Sequence, residues 1–418
     1  MISRTLVIIG GGSAGMAAAI KAYDLGVKDI LILEKGRVLG GILNQCIHNG
    51  FGLQEFQEEL TGPEFLARYA AMTQERNIEV WFEHTVLNIN ANKEITVSSP
   101  QGLVIIKAQA IIFTVGCYER SAGAIKLPGD RPKGVITAGQ AQYYQNILGQ
   151  KVGKQVFVLG SGDIGLIMAR RLTLEGAKVL GVAEIMPYSN GLNRNIVQCL
   201  EDYEIPLYLS HTVTKVIGKE RLEKIEISKV DANYQPILGT EKIYEVDTLV
   251  LSVGLIPNLE IFNNPKFVTS STRGLLVDNH FASEIPGIFS AGNCLHVHDL
   301  VDFVVKEARI AATNAYHYLQ NQNEVSLQEF AVLKAKEMGY LIPEYIRIHQ
   351  SDTAVTFQFR VRFPILKARI KLLNAKNEVL FQVVRLYLIP SEMVSLEVKA
   401  ALFLQNSEPL HYEVEVLE

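Results

Sequence analysis

The chain has 418 residues, 48% hydrophobic and 20% charged, a size and composition that call for two or three well-cored domains. A formal net charge of −4 and the lack of any lysine–arginine run give no support to nucleic-acid binding. No apolar run reaches the roughly 18 residues that a spanning helix needs, and the first strand starts by Thr5, so no integral membrane segment and no secretory signal are expected.

A cytoplasmic protein is the simple expectation, with docking to a membrane-bound partner left open. Cys46, Cys117, Cys199 and Cys294 are scattered, with neither C-x-x-C nor the clustering of a zinc or iron–sulfur site. Neither a disulfide scaffold nor a metal is expected from them.

The chain opens on the stretch that organises the rest. Thr5 to Ile9 is a short β-branched run, followed by Gly10, Gly12 and Gly15 in G-x-G-x-x-G spacing and an alanine-rich helix. Ile30 to Leu33 then ends in Glu34. In a strand–turn–helix–strand unit, Gly10 serves the tight turn, Gly12 lets a pyrophosphate approach the backbone, and Gly15 lets helix and strand pack closely. Glu34 stands where a carboxylate accepts hydrogen bonds from an adenosine ribose. The phosphates would meet the open amides of the helix N-terminus, next to Ser13 and Ala14. The competing reading is a glycine-rich turn in an ordinary α/β domain.

After Glu34, KGRVLGGILNQCIHNGFGLQEF reads as an ordered loop beside the ligand, with Lys35 and Gly41 in it, leading into a helix. Thr61 and Pro63 cap a helix reaching about Arg76. Ile78 to Phe82 is a short strand, 84–98 and 102–108 suggest an antiparallel meander, and Ala110 to Val115 is a buried strand ending at Gly116. Residues 119–150 read as a connection with a helix from about Gln140 to Leu148.

The opening theme then returns. Gln155 to Leu159 is a strand, GSGDIG supplies Gly160, Gly162 and Gly165, a helix reaches about Glu175, and Val179 to Ala183 leads to Glu184. Glu184 lies nineteen residues past Gly165, as Glu34 lies nineteen past Gly15, so the two units form an internal repeat. A strand-rich insertion fills about Pro206 to Glu245, before the strand Thr248 to Val253 and the turn GLIPN, which begins at Gly254. From Gly274 the chain returns to the first domain through IFSAGNC and a helix from about Val301 to Gln320. Past Asn323, segments 355–363, 368–373, 379–389 and 394–404 alternate at strand period, punctuated by Pro364, Pro390 and Pro409. The expected architecture is α/β. Two Rossmann-like domains, the second (151–255) inserted in the first (1–118 and 256–322), precede a small C-terminal β-rich domain (323–418), read as an interface.

The two fingerprints, their nesting, TVG at 114–116 and IFSAGN at 288–293 resemble the two-dinucleotide flavoproteins, the pyridine nucleotide–disulfide oxidoreductases among them. The resemblance covers roughly residues 1–320. It implies FAD in the outer domain, held around Gly10, Gly12, Ser13, Ala14, Gly15, Glu34, Lys35, Gly41, Thr114, Gly116, Gly292 and Asn293. It implies NAD, or another adenine nucleotide, in the inserted domain around Gly160, Gly162, Asp163, Ile164, Gly165, Glu184 and Gly254. GGILNQCIHNGFG, GDRPKGVITAGQAQ, LGSGDIGLIMARRLTLEGAKV, LSVGLIPN and AGNCLHVHDLVD are similar to flavoprotein subunits encoded beside an FAD-dependent glycerol-3-phosphate dehydrogenase-like protein. They also resemble nucleotide-binding subunits of opine oxidase, hydrogen cyanide synthase and dye-linked proline dehydrogenase complexes. That implies a partner dehydrogenase subunit exchanging electrons with this one; a homo-oligomer stays open.

Three departures stand out. The C-x4-C pair of disulfide reductases is reduced to Cys46, with Ile42 and Leu43 where the other cysteine falls. Ile167 and Asp163 replace the usual glutamate and aromatic gate of the second helix, and Asn293 replaces the usual aspartate.

Flavin chemistry needs few ionisable side chains. Cys46 is the leading candidate, as a thiolate stabilised near the flavin, against a small buried packing residue. His48 is a candidate for proton transfer, against a loop hydrogen bond. His296 and His298, in H-x-H-D after AGN, are placed by the resemblance near the negative charge that develops on reduced flavin. An H-x-H pair on a strand can ligate, but no third ligand is spaced to join it. Glu184 favours the free 2′-hydroxyl of NAD over the phosphate of NADP. The expected function is an FAD-dependent oxidoreductase subunit that exchanges a hydride with NAD(H) and electrons with a partner acting on glycerol 3-phosphate or an amine- or opine-type substrate. A stand-alone NADH oxidase or peroxidase using Cys46, and an electron-relay scaffold with a structural nucleotide, are the alternatives.

Overall fold

The computed structural model describes residues 1–259, 261, 267–321, 326–406 and 408–417. The expected boundary at 322/323 lies outside the described residues. The helices are α1 (Ser13–Asp24), α2 (Gly62–Glu75), α3 (Ala138–Asn146), α4 (Asp163–Leu174), α5 (Asn193–Cys199) and α6 (Val301–Leu319). Contacts divide the chain into two units. The first comprises Met1–Asn44, Asn49–Cys117 and Pro257–Glu418, and the second Gln45–His48 and Tyr118–Ile256.

In the first unit, strands at 79–81, 30–33, 2–9, 102–113, 94–99 and 85–89 lie in that spatial order, with 288–290 also paired to 102–113. Ile2–Ile9 pairs in parallel with Ile30–Leu33 on one side and with Gly102–Phe113 on the other. The segments expected as a meander strand and a separate buried strand are one twelve-residue strand, Gly102–Phe113. Its first half pairs antiparallel with Glu94–Ser99 and alternates in exposure, and its second half runs into the parallel core, where both faces are covered. The hydrophobic pattern changes along it, although the backbone does not break.

Small residues let α1 sink into this unit. Ala14, Gly15, Met16, Ala17, Ala18, Ala19, Ile20 and Ala22 are all buried, and α1 packs against α6 and α2. The α2 N-terminus carries the expected cap: Thr61 and Glu64 form a reciprocal capping box, with proline in the first turn.

The second unit holds a parallel five-stranded sheet in the order 135–137, 248–251, 155–159, 178–184, 207–209. Part of the stretch expected as a connection therefore belongs to this fold, since Val135–Thr137 is an edge strand and α3 follows it directly. The strand-rich insertion divides likewise: Leu207–Leu209 joins the parallel sheet, and 211–217, 224–229 and 242–245 form a separate antiparallel sheet.

The C-terminal region is built as two sheets, of order 345–348, 328–333, 410–416, 365–373, 379–388 and of order 338–342, 354–361, 394–399. Both contribute to one core, including Phe330, Ile346, Ile370, Phe357, Phe359 and Leu396. The region belongs to the first unit, and polar side chains tie it to the segment 278–299. Asp278 pairs with Arg347 at 3.2 Å, His280 with Asp352 at 2.9 Å, and Asp299 with Arg360.

Candidate functional site

The first glycine turn has the geometry of its motif. Gly10 has φ +104°, and a Cβ there would lie 2.5 Å from the Thr114 carbonyl oxygen. A Cβ on Gly15 would overlap the Gly10 carbonyl oxygen, so helix and strand touch through backbone alone. Gly12 differs from both. It caps α1 at φ −75° and ψ −171°, no side chain closes that helix end, and a Cβ there would meet no heavy atom within 4 Å. This open space beside unpaired helix amides is where a pyrophosphate fits. Gly40 N–H donates to Gly11 O at 2.8 Å, which brings Gly41 alongside Gly12. Thr114 closes the floor of the turn, its hydroxyl donating to Ile9 O at 3.0 Å and Gly10 O at 2.9 Å.

Glu34 is buried and accepts Gly11 N–H at 2.7 Å on one carboxylate oxygen and Gly36 N–H at 2.6 Å on the other. A carboxylate has about four acceptor positions, so two remain for ribose hydroxyls. Lys35 points to solvent. Gly116 has φ +70°, and its carbonyl accepts the Asn258 N–H at 3.0 Å. These residues fit FAD.

Gly292, at φ +80°, faces Ala14 of α1, to which an added Cβ would come within 3.1 Å. Behind Gly292 is a buried group that sequence reasoning missed. Glu307 of α6 accepts Gly292 N–H at 2.5 Å on Oε1, while Oε2 lies 2.9 Å from His296 Nε2 and 3.1 Å from His298 Nε2. Glu307 thus supplies the third group that spacing alone did not place near the H-x-H pair. Burial raises the Glu307 carboxyl, but the imidazoles of His298 and His296 outweigh it and hold the group at about 2. Burial, with the neighbouring His298, pushes His296 down. The signal in the sequence was an acid on the apolar stripe of α6, between Val304 and Ala311. Arg360 of the C-terminal region grips the same loop, donating to Val297 O at 3.2 Å and pairing with Asp299. Asp299 also accepts Met393 N–H at 2.8 Å.

The second turn repeats the first. Gly160 has φ +94°, Gly162 caps α4 without a side-chain cap, and Gly165 N–H donates to Ser252 Oγ at 3.1 Å. Ser252 thereby stands where Thr114 stands in the first unit. Glu184 accepts Ser161 N–H at 2.9 Å, Ser161 O–H at 2.7 Å and Met186 N–H at 3.0 Å. Two of these match the Glu34 bonds, and the Ser161 hydroxyl is an addition. Asp163, at the expected gate position, accepts Leu192 N–H at 2.8 Å and Asn195 Nδ2 at 2.6 Å, binding the following loop to the turn. Ile164 and Ile167 pack against the core of this unit. Gly254 takes φ +101°, and its carbonyl accepts Arg120 N–H at 3.0 Å.

Cys46 and His48 belong to the second unit. The Cys46 thiol is buried, 3.7 Å from Gln142 Oε1 of α3, and burial pushes it up to about 12. The protein groups around Cys46 thus favour the neutral thiol. Burial, reinforced by Arg194, pushes His48 down to about 4, so it is neutral at pH 7 and is no ready proton donor. Among the described residues, no helix is long and apolar enough to cross a membrane.

Comparison with known proteins agrees with this geometry. The family model for pyridine nucleotide-disulphide oxidoreductases matches residues 4–315. Mitochondrial dihydrolipoyl dehydrogenase 1 of Arabidopsis thaliana is 26% identical over 325 residues, covering 69% of this chain and 61% of that protein. The hydrogen cyanide synthase subunit HcnB of Pseudomonas protegens is 24% identical over 281 residues, covering 62% of this chain and 58% of its own length. The chain thus spans about three fifths of the curated relatives it matches. Thioredoxin reductase of T. acidophilum shares the fold, with TM-score 0.63 and 23% identity over 76% of this chain and 98% of that one. With a family match across both glycine turns, the chain belongs to the pyridine nucleotide-disulphide oxidoreductases, and its cofactors are FAD and a nicotinamide nucleotide.

Proposed function

We propose that this protein is the FAD- and NAD-binding subunit of a larger oxidoreductase. It exchanges a hydride with NAD(H) and passes electrons to or from a partner dehydrogenase subunit acting on glycerol 3-phosphate or an amine- or opine-type substrate. The observation that carries the reading is the repeated turn, in which Glu34 and Glu184 are held by matching backbone donors beside helix ends that lack a side-chain cap. Bound FAD supplies the two-electron chemistry. The chain's own part is to bind and orient. Gly12 and the amides of α1 hold a pyrophosphate, and Glu34 accepts from ribose hydroxyls. The His296–His298–Glu307 cluster sets the field behind Gly292 and Asn293. Glu184 favours NAD, because a 2′-phosphate would bring negative charge against a buried carboxylate. HcnB, named as a subunit of a synthase, supports a role within a complex.

A second reading is an electron-relay subunit with a structural nucleotide. It is favoured by the tie from Asp163 to Leu192 and Asn195, and by Ile167 packed where a glutamate that pairs with a lysine at the flavin is usual. The NADH oxidase or peroxidase reading needs a reactive Cys46, and a thiol pushed up to about 12 disfavours it. Anaerobic rapid mixing of the FAD-loaded protein with NADH or NADPH separates hydride exchange from the relay reading. Bleaching of flavin absorbance by NADH, faster than by NADPH, is expected. No bleaching by either, with FAD retained, would leave the relay reading standing.

A further inference from the structure

The two ring nitrogens of His298 both face oxygen acceptors. Nε2 lies 3.1 Å from Glu307 Oε2, and Nδ1 lies 3.3 Å from Asn293 Oδ1. The identity of that amide oxygen is fixed independently, because it also accepts the backbone N–H of His298 at 3.1 Å. Flipping the Asn293 amide would set two N–H donors against each other. A neutral imidazole offers one donor and one lone pair. In either tautomer a neutral His298 would aim a lone pair at an oxygen, inside a site where its side chain is 1% exposed and that of Glu307 3%. A ring protonated on both nitrogens satisfies both contacts.

We propose that His298 is held as an imidazolium in the resting protein, the cation of a buried pair with Glu307, and that His296 is the neutral second donor to the same carboxylate oxygen. His296 Nδ1 has no partner among the described residues, which suits a neutral ring donating through Nε2. The His296 and His298 rings are 4.1 Å apart, so two adjacent cations would repel, and burial first, then His298, pushes His296 down. Tyr340, 5.9 Å from the His296 ring, is pushed up to about 12 by burial and stays neutral. Arg360, whose charge also opposes protonation of His296, is paired with Asp299 and donates to the carbonyls of Val297, Pro390 and Ser391.

The buried pair is thus a fixed dipole built into the loop that follows Gly292. Breaking such a pair strands a charge away from water, which is costly. What the cation acts on rests on the proposed FAD site, where a positive charge favours electron-rich forms of a bound cofactor. Its existence does not depend on that reading.

The test is nitrogen NMR of the full-length, FAD-loaded protein labelled with 15N-histidine, with H298Q identifying the His298 signals. Both His298 nitrogens are expected to be protonated at pH 7.5. H296Q is expected to leave them so, and E307Q to lose one of the two protons. A bare His298 nitrogen in the wild type at pH 7.5 would overturn the proposal. That spectrum decides the matter even if E307Q does not fold. If the chain never binds FAD yet the wild-type apoprotein shows the doubly protonated ring, the cofactor assignment fails and the ion pair stands.

Discussion

Gly12→Ala separates the folding role of the glycine turn from its binding role. Gly12 lies at φ −75° and ψ −171°, a conformation open to any L-residue, and an added Cβ would meet no heavy atom within 4 Å. The apoprotein should therefore fold as the wild type does, or gain up to about 1 kcal/mol from a less flexible unfolded chain. The same methyl would stand in the space assigned to the pyrophosphate. Losing two hydrogen bonds to a charged group, at about 1.5–3 kcal/mol each, weakens binding by roughly 3–6 kcal/mol. That corresponds to about a hundred-fold to ten-thousand-fold loss of FAD affinity. Thermal unfolding of the apoprotein gives the first quantity, and flavin fluorescence titration gives the second. Gly15→Ala is the contrasting control. Its methyl overlaps the Gly10 carbonyl and comes 2.9 Å from Thr114 Oγ1, so stability itself should fall by at least 1–3 kcal/mol, on the order expected for overpacking. If Gly12→Ala binds FAD within about threefold of wild type, the dinucleotide does not lie over this turn and the site is misassigned.

Two other substitutions probe the remaining groups. Cys46→Ser should leave NADH-driven flavin bleaching intact. The wild-type thiol should resist iodoacetamide at pH 8, where a group at about 12 is ionised in only about one molecule in ten thousand; rapid alkylation, or loss of bleaching in the serine variant, would restore Cys46 as a redox centre. Arg360→Met should lower the stability measured by urea unfolding by about 3 kcal/mol, because Asp299 and three carbonyl oxygens lose their donor together. A change below about 1 kcal/mol would mean that the C-terminal region does not hold the 296–299 loop.

The readable part of this protein was local. Each glycine turn spends its motif within six residues, and the acid closing each unit falls at the end of the next strand, so spacing alone located Gly10, Gly12, Gly15, Glu34 and their counterparts Gly160, Gly162, Gly165 and Glu184. The helix cap at Thr61 and the alanine-rich α1 were legible for the same reason: capping and close packing leave marks on neighbouring residues. Pattern reading missed the strands at 328–333, 338–342, 345–348 and 410–416, which are short or follow turn-rich stretches, and it divided 102–113 where the burial changed while the pairing continued.

Contacts across long sequence separations decided the rest. Glu307 reaches His296 from another element, Arg360 reaches Asp299 across 61 residues, and Gln142 meets Cys46 across 96. A periodicity records which face of a helix is apolar, but not which polar group elsewhere makes a buried charge affordable. Burial and pairing set the state of Cys46, His48 and Glu307, and both are properties of the folded neighbourhood. The sequence by itself determined two glycine turns of the dinucleotide-binding pattern and their order along the chain. Only the tertiary structure showed that Cys46 is buried, which pushes its thiol up, and that a buried carboxylate joins the two histidines, because desolvation and Coulomb energy depend on distances that chain spacing does not encode.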